Sequence, residues 1–517
     1  MVAWLTVACL VSTHSRPEAA ATDEPRWMFG AMLVVCLISS LPCLAFKYLP
    51  MTDLPQHEAI VSIMRHMDDP AYGFRSYYDW AWDRTLYVLP YFLAMGLSFL
   101  VPLHWALRIT VFVATLSYPL GVLLTLRALR KPLALTLLAL PLLYNRGFFW
   151  GFIHFNLGVG LAFIALSELV GPWSRGKGWR VAGLSLLSAA THVYGLALLS
   201  LYFLAWLLAG ERRKLLSRAP WFVPGVIALG TWGILAAKAP GFGGVQWQPF
   251  QLRLREIGHS ILGGYRDRSE DFILAGWVLV TLALVWRSLP LTLGRWRRLG
   301  VHERASYILI IVNLAGYFLL PVATPTAKFI SFRHVLISAM LVPFAVSGCD
   351  YAKARTLAKL LPAVLAAVAI ANAGWHLLLF DREAREFDAV LAMLPQRPQI
   401  AQLTDDSAGA VMRSRPYTHF GAYGQAVRGG VLTDSFPLRF WNIPVKGRMS
   451  SDVSAAPMNL AWDPAASCPS CGTDGYDCFL VRQGDDQVER WTTHREHGFA
   501  AAVGGWQLDC QLRSVTR

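Results

Sequence analysis

The chain has 517 residues, 55% hydrophobic and 15% charged, with a mean hydropathy of +0.41. A soluble fold of this length cannot bury that much apolar surface, so lipid is the expected main solvent. The net charge of +14 would suit nucleic acid. The basic residues instead fall in short clusters between apolar runs, which excludes a nucleic-acid partner and points to membrane topology.

In chain order, residues 1–26 hold an apolar stretch at 2–11 that is too short to span and has no convincing cleavage site. A disordered cytoplasmic extension is expected there. From Trp27 to Phe380 apolar runs recur at the length that crosses a hydrocarbon core of roughly 30 Å. Basic residues cluster in five intervening loops, marked by Arg127/Lys131, Arg175/Arg180, Arg212/Arg218, Arg287/Arg304 and Lys353/Lys359. The positive-inside rule puts these loops in the cytoplasm and the loops between them outside.

Neighbouring basic loops must be separated by an even number of crossings. That condition lays residues 86–103 along the interface as a juxtamembrane helix inside a first outer loop, 47–104. About 11 spans follow, near 27–46, 105–126, 133–145, 156–170, 181–192, 194–209, 221–237, 272–287, 305–323, 335–349 and 360–380, with 13 as a variant. The stretches 133–145 and 181–192 are short for full crossings and are expected to extend into loops or stop in a cavity. The N-terminus is then cytoplasmic, and residues 381–517 form an extracytoplasmic domain.

The most informative stretch is Pro50-Met51-Thr52-Asp53-Leu54-Pro55-Gln56-His57-Glu58, directly after the first span. It places Asp53, His57 and Glu58 at a lipid boundary, where a carboxylate suits general-base work. Asp53 with Gln56 also reads as a capping box opening a helix. Asp68, Asp69, Asp79 and Asp83 in the same loop rank below Asp53, as turn or solvated residues. Tyr77, Tyr78, Trp80, Trp82 and Tyr87 are expected to anchor the interface, with sugar stacking as the other option.

Further along, Arg146 and His154 flank an outer aromatic turn, and His192 marks another. Ionisable groups at such depth point to function, although backbone carbonyls readily satisfy a histidine at a helix break. The loop 324–334 supplies Lys328, Arg333 and His334, cations placed to meet a lipid-linked phosphate. Together with His57 and Glu58 these are the expected substrate-binding residues.

The domain 381–517 reads as small α/β, with helices near 383–394 and 419–427 and strands near 400–404, 430–434, 477–481 and 506–512. It holds Cys468, Cys471, Cys478 and Cys510. Two disulfides are the plainer expectation; a four-thiolate zinc site is the sharper one. Cys36, Cys43 and Cys349 are expected to pack in apolar segments. Arg415-Pro416-Tyr417-Thr418-His419-Phe420 could line an acceptor site but more often such a run only starts a helix. With no nucleotide-binding loop or hydrolase elbow, no chemistry is assigned to this domain.

An acidic residue just past the first span, an interfacial helix, many short spans and a C-terminal outer domain together resemble the GT-C superfamily of polyprenyl-phosphate-sugar-dependent glycosyltransferases. The resemblance covers roughly 27–380. It implies a polytopic α-helical GT-C-like fold and an inverting transfer of a sugar from a polyprenyl-phosphate carrier to an extracytoplasmic glycan, lipid or protein in the plasma membrane. It carries the family's first-loop acid, a base or metal ligand, onto Asp53. The family's common Asp-Glu pair is absent, since Leu54 follows Asp53, so a divalent metal is possible but not required. A transporter or flippase of a lipid-linked envelope precursor is the alternative class, although the candidate residues gather on the outer side rather than at the midplane. A non-catalytic scaffold in envelope assembly is a third possibility.

Overall fold

The computed structural model describes residues 24–210, 216–237, 244–286, 292–324, 327–348, 351, 356–404, 409–440, 443–448, 477–482 and 501–510. The expectation for 1–26 thus falls almost wholly outside the described residues, as do those for Cys349, Cys468 and Cys471.

The helices are α1 (Arg26–Ser40), α2 (Leu54–Arg65), α3 (Leu89–Ser98), α4 (Leu103–Ala128), α5 (Ile153–Val170), α6 (Arg175–Ala189), α7 (Val193–Ala209) and α8 (Val223–Ala236). They continue as α9 (Phe250–Ile261), α10 (Ser269–Val285), α11 (Val301–Leu319), α12 (Ile330–Met340), α13 (Thr356–Ala384), α14 (Phe387–Met393) and α15 (Gly421–Arg428). Among the described residues, four helical stretches are long and apolar enough to cross a membrane: Arg26–Ala45, Leu103–Ala128, Ile153–Val170 and Lys359–Met393. Leu319, Leu279, Ile234 and Trp27 are among the large apolar side chains left exposed on the helix bundle, as lipid-facing positions would be.

Two of the expected spans are corrected. Residues 133–145 form no α-helix but two 3₁₀ turns, Leu133–Leu138 and Leu140–Leu142. Pro132 precedes the first and Pro141 lies in the second, and each denies the helix ladder a donor. The turns bury their leucines inside the protein instead of reaching lipid. The expected span 335–349 is likewise divided, into α12 and the single turn Val342–Ala345, with Pro343 at the break. The expected span 181–192 starts earlier, at Arg175, where the Ser174 hydroxyl accepts a hydrogen bond from the Lys177 amide at 3.3 Å. Helix α3 has 10 residues. At 1.5 Å per residue it reaches about 15 Å, half a hydrocarbon core.

Helices α4 and α5 approach most closely at Gly160, where a methyl group would strike the Ser117 side chain, and at Gly121, where it would meet Phe163. Small residues let helix backbones close up where lipid gives little hydrophobic drive. Lys131 and Arg218, from two of the basic loops, are both tied into the helix bundle. Lys131, buried, donates to the carbonyls of Phe344 and Val346 at 2.7 and 2.9 Å and pairs with Glu303 at 3.2 Å. Arg218 donates to the Leu169 carbonyl over the rings of Trp173 and Trp206.

In the C-terminal α/β region, strands β4 (Gln399–Thr404), β5 (Val431–Leu432), β7 (Cys478–Arg482), β8 (Ala501–Val503) and β9 (Trp506–Cys510) form a sheet of order β5-β4-β7-β9-β8. Strand β4 runs parallel to β5 and β7, and β9 runs antiparallel to β7 and β8. Cys478 and Cys510, paired in register, are disulfide-bonded, which takes two of the four thiolates from the zinc arrangement considered above.

Several contacts fasten this region to the first loop. Strand β1 (Tyr78–Trp80) pairs antiparallel with β6 (Val445–Gly447). Helix α2 packs on α15, and the Ser62 hydroxyl donates to the Ala426 carbonyl at 2.7 Å. Helix α2 is therefore buried along nearly its whole length rather than lying exposed on an interface.

Candidate active site

Asp53 stands at the N-cap position of α2, but its carboxylate makes no capping bond. The capping-box reading fails because Gln56 is engaged elsewhere. Its amide donates to the Asp434 carbonyl at 2.7 Å and accepts from the Phe436 amide at 3.0 Å. Fully buried, Gln56 thereby pins the segment after β5 against α2. The carboxylate of Asp53 keeps 17% of its side-chain surface exposed.

The backbone at Asp53 is fixed from two sides. Its N–H donates to the Trp150 carbonyl at 3.1 Å, and the preceding Thr52 N–H donates to Phe149 at 2.9 Å. The Thr52 hydroxyl reaches the Ser414 carbonyl at 2.8 Å. Gly151, with φ +84°, lies so close that a methyl group on it would sit 2.9 Å from the Asp53 nitrogen. Only glycine fits there without strain.

His419, at the end of the 3₁₀ turn Pro416–His419, lies between two carboxylates. Its Nε2 is 3.7 Å from Asp53 Oδ1 and its Nδ1 is 3.1 Å from Asp434 Oδ2. His419 and Asp434 are both buried. Burial pushes the Asp53 carboxyl up to about 7; the charge of His419 opposes this, Asp434 adds to it, and the cations Arg333 and Lys328 oppose it more weakly. A carboxyl poised there can take a proton at neutral pH.

Arg333 is held over the rings of Phe152, Tyr194 and Phe155 at 4.8, 5.4 and 5.8 Å. Its buried Nε has no hydrogen-bond partner among the described residues. Lys328 lies on the two-residue strand β3 (Ala327–Lys328), which pairs with β2 (Ala323–Thr324). Of the expected site residues, then, Asp53, Arg333 and Lys328 share one electrostatic neighbourhood.

The others have structural partners. His57 Nε2 is 3.1 Å from the Gly151 carbonyl and Nδ1 is 3.0 Å from the Tyr91 hydroxyl, so Nε2 carries the proton and Nδ1 accepts. Burial pushes this imidazole down to about 4, which keeps it neutral. Glu58 pairs with His104 at 3.0 Å, and His104 Nε2 meets the Lys47 carbonyl at 2.7 Å. His154 packs against His57 and Tyr91 with ring centroids 5.4 and 4.7 Å away, and its buried Nε2 has no hydrogen-bond partner among the described residues.

His192 caps α7, accepting from the Tyr194 amide at 3.2 Å, and stacks on Tyr87. His334 lies between Asn313 and Tyr194 at 3.0 and 3.3 Å. Arg146 approaches Ser260 at 3.5 Å. Asp68 and Asp79 pair with Arg75 and Arg448. Tyr78 is buried, its hydroxyl accepting from Gln425 at 2.6 Å, while Trp80 and Trp82 stack at 4.9 Å.

No family model and no curated protein matches the sequence. Among solved structures, the crystal structure of ArnT from Cupriavidus metallidurans bound to undecaprenyl phosphate aligns at a TM-score of 0.52 and 12% identity. The alignment covers 94% of this chain and 98% of that one. This chain has the ArnT fold. The polytopic helical architecture with a small C-terminal sheet region, expected from the sequence, is the one observed. The ArnT structure in the apo state aligns at a TM-score of 0.39 and 14% identity, over 93% of this chain and 97% of that one.

Sequence reasoning missed His419 and Asp434 as neighbours of Asp53. The run Arg415–Phe420 carried the local signal, polar and aromatic side chains crowded into six positions. Nothing local tied Asp434 to them; the tie is the side chain of Gln56, 378 residues away.

Proposed function

We propose that this chain is a membrane glycosyltransferase that moves a sugar from a polyprenyl-phosphate carrier to an extracytoplasmic acceptor with inversion, using Asp53 as base. One observation carries the reading: on an ArnT-like fold, a largely buried carboxylate poised near neutrality is flanked by His419 and lies in the field of Arg333 and Lys328. The acceptor hydroxyl attacks the anomeric carbon from the face opposite the phosphate while Asp53 takes its proton. The bond from that carbon to the phosphate oxygen breaks, and the electron pair leaves with the carrier phosphate. Arg333, which offers an unpartnered N–H, and Lys328 stabilise the charge that develops there. The charge of His419, backed by Asp434, favours the ionised form of Asp53 against the burial that opposes it. The positive-inside rule, applied to the basic loops of the sequence, supports a plasma-membrane protein with its C-terminal region outside.

The test is a transfer assay with purified protein, polyprenyl-phosphate sugars and a membrane extract as acceptor. Wild type is expected to form a glycosylated product and Asp53→Asn to form at least about a hundredfold less. Equal product from both would remove Asp53 from the mechanism. Carrier movement without any covalent product would assign transport instead.

A further inference from the structure

A second cluster of charge gathers around helices α9 and α10. Helices α9 and α10 diverge around a cleft of about 880 Å³ whose polar rim carries Arg255, His259, Arg268 and Arg413. The opposite wall is apolar, formed by Leu274, Val278 and Leu279 of α10. Val278 and Leu279 remain 42% and 67% exposed, so this wall is continuous with the face that α10 turns to its surroundings.

The two acids on the rim are already engaged. Asp271 pairs with Arg268 at 2.7 Å, and Glu256 accepts from the Gln248 amide at 2.8 Å. Arg413 donates to His259 Nδ1, and its own backbone N–H is tied to the Gly264 carbonyl at 2.8 Å. Arg255 has no carboxylate within ion-pair distance among the described residues and is exposed to the cleft. Burial and then the charges of Arg146, Arg413 and Arg268 push His259 down to about 3. A positive rim beside an apolar wall fits an amphiphile with an anionic head rather than a free sugar, which would leave the wall wet.

We propose that this cleft binds the phosphate head of an anionic phospholipid, whose acyl chains lie along α10. The proposal does not depend on the glycosyltransferase reading. The guanidinium groups of Arg255, Arg268 and Arg413 would grip the phosphate oxygens, as planar donors suited to such anions. Leu274, Val278 and Leu279 would cover the first methylenes of a chain.

The test uses the full-length protein in phosphatidylcholine nanodiscs with native mass spectrometry as readout, and three probes: phosphatidic acid, phosphatidylcholine and inorganic phosphate. Phosphatidic acid is expected to bind at least about tenfold more tightly than phosphatidylcholine, and Arg255→Gln with Arg268→Gln to remove about tenfold of that preference. Both side chains are exposed, and an unchanged unfolding temperature in phosphatidylcholine will confirm that the variant folds. Arg255→Gln alone, which leaves the Arg268 pair intact, is expected to give an intermediate loss. Equal binding of phosphatidic acid by wild type and the double variant overturns the proposal. So does displacement of the lipid by an equal concentration of inorganic phosphate, which would mark a free-anion site.

Discussion

His419 Nε2 lies 3.7 Å from Asp53 Oδ1, across 366 positions of sequence, and joins the C-terminal region to the first loop by charge. The contact brings a titratable group of the α/β region beside Asp53. The sequence assigns this region no chemistry of its own, and a role for His419 is open to test.

That role sets a pH dependence. Asp53 titrates at about 7, raised from its ordinary value by burial. As a base it must be ionised, so transfer is lost as pH falls through that value and is complete above it. The charge on His419 lowers the Asp53 pKa, and its removal will raise it. His419→Gln is therefore expected to move the acidic limb of kcat/KM to higher pH and to lower the plateau by about tenfold or more. A limb that stays in place would leave His419 with a packing role only.

Gly151→Ala tests the close approach. A methyl group there would lie 2.9 Å from the Asp53 nitrogen and 3.0 Å from its Cβ, at φ +84°. The strain should cost about 1–3 kcal/mol and displace the carboxylate. Loss of transfer with a lower unfolding temperature is expected; full activity would mean that the turn relaxes freely.

Gln56→Leu removes two hydrogen bonds, to the Asp434 carbonyl and from the Phe436 amide, and leaves both partners buried without them. A loss of about 2–4 kcal/mol is expected from two orphaned backbone groups. Because the same segment carries Asp434, limited proteolysis should cut the C-terminal region faster in the variant. An unchanged cleavage rate would mean that β1 and β6 hold the region without this tie.

Metal dependence is open to direct measurement. Arg333 and Lys328 already supply positive charge in the field of Asp53. Transfer is expected to survive EDTA with less than about a twofold change, since fixed cations can stabilise a leaving phosphate without a metal. Loss of activity on chelation and its return with a divalent ion would instead place a metal beside Asp53.

Much of the fold was legible because hydropathy is a local property. Each apolar run states for itself that it belongs in lipid, and each basic loop states its side. The strands of the C-terminal region were also near their observed places, at Gln399–Thr404, Cys478–Arg482 and Trp506–Cys510. Runs containing proline were misread, as at 133–145, because apolar character does not distinguish a crossing helix from a 3₁₀ turn buried against neighbouring helices.

By itself, then, the sequence determined that the chain lives in a membrane and that Asp53 follows the first apolar helix. Only the tertiary structure decided that Asp53 would forgo its capping bond, that Gln56 would hold Asp434 in place, and that His419 would lie beside the Asp53 carboxylate with Arg333 in its electrostatic field. The physical reason is range. Solvent preference is written residue by residue, whereas a shifted pKa depends on burial and on charges that only the folded chain brings within a few ångströms.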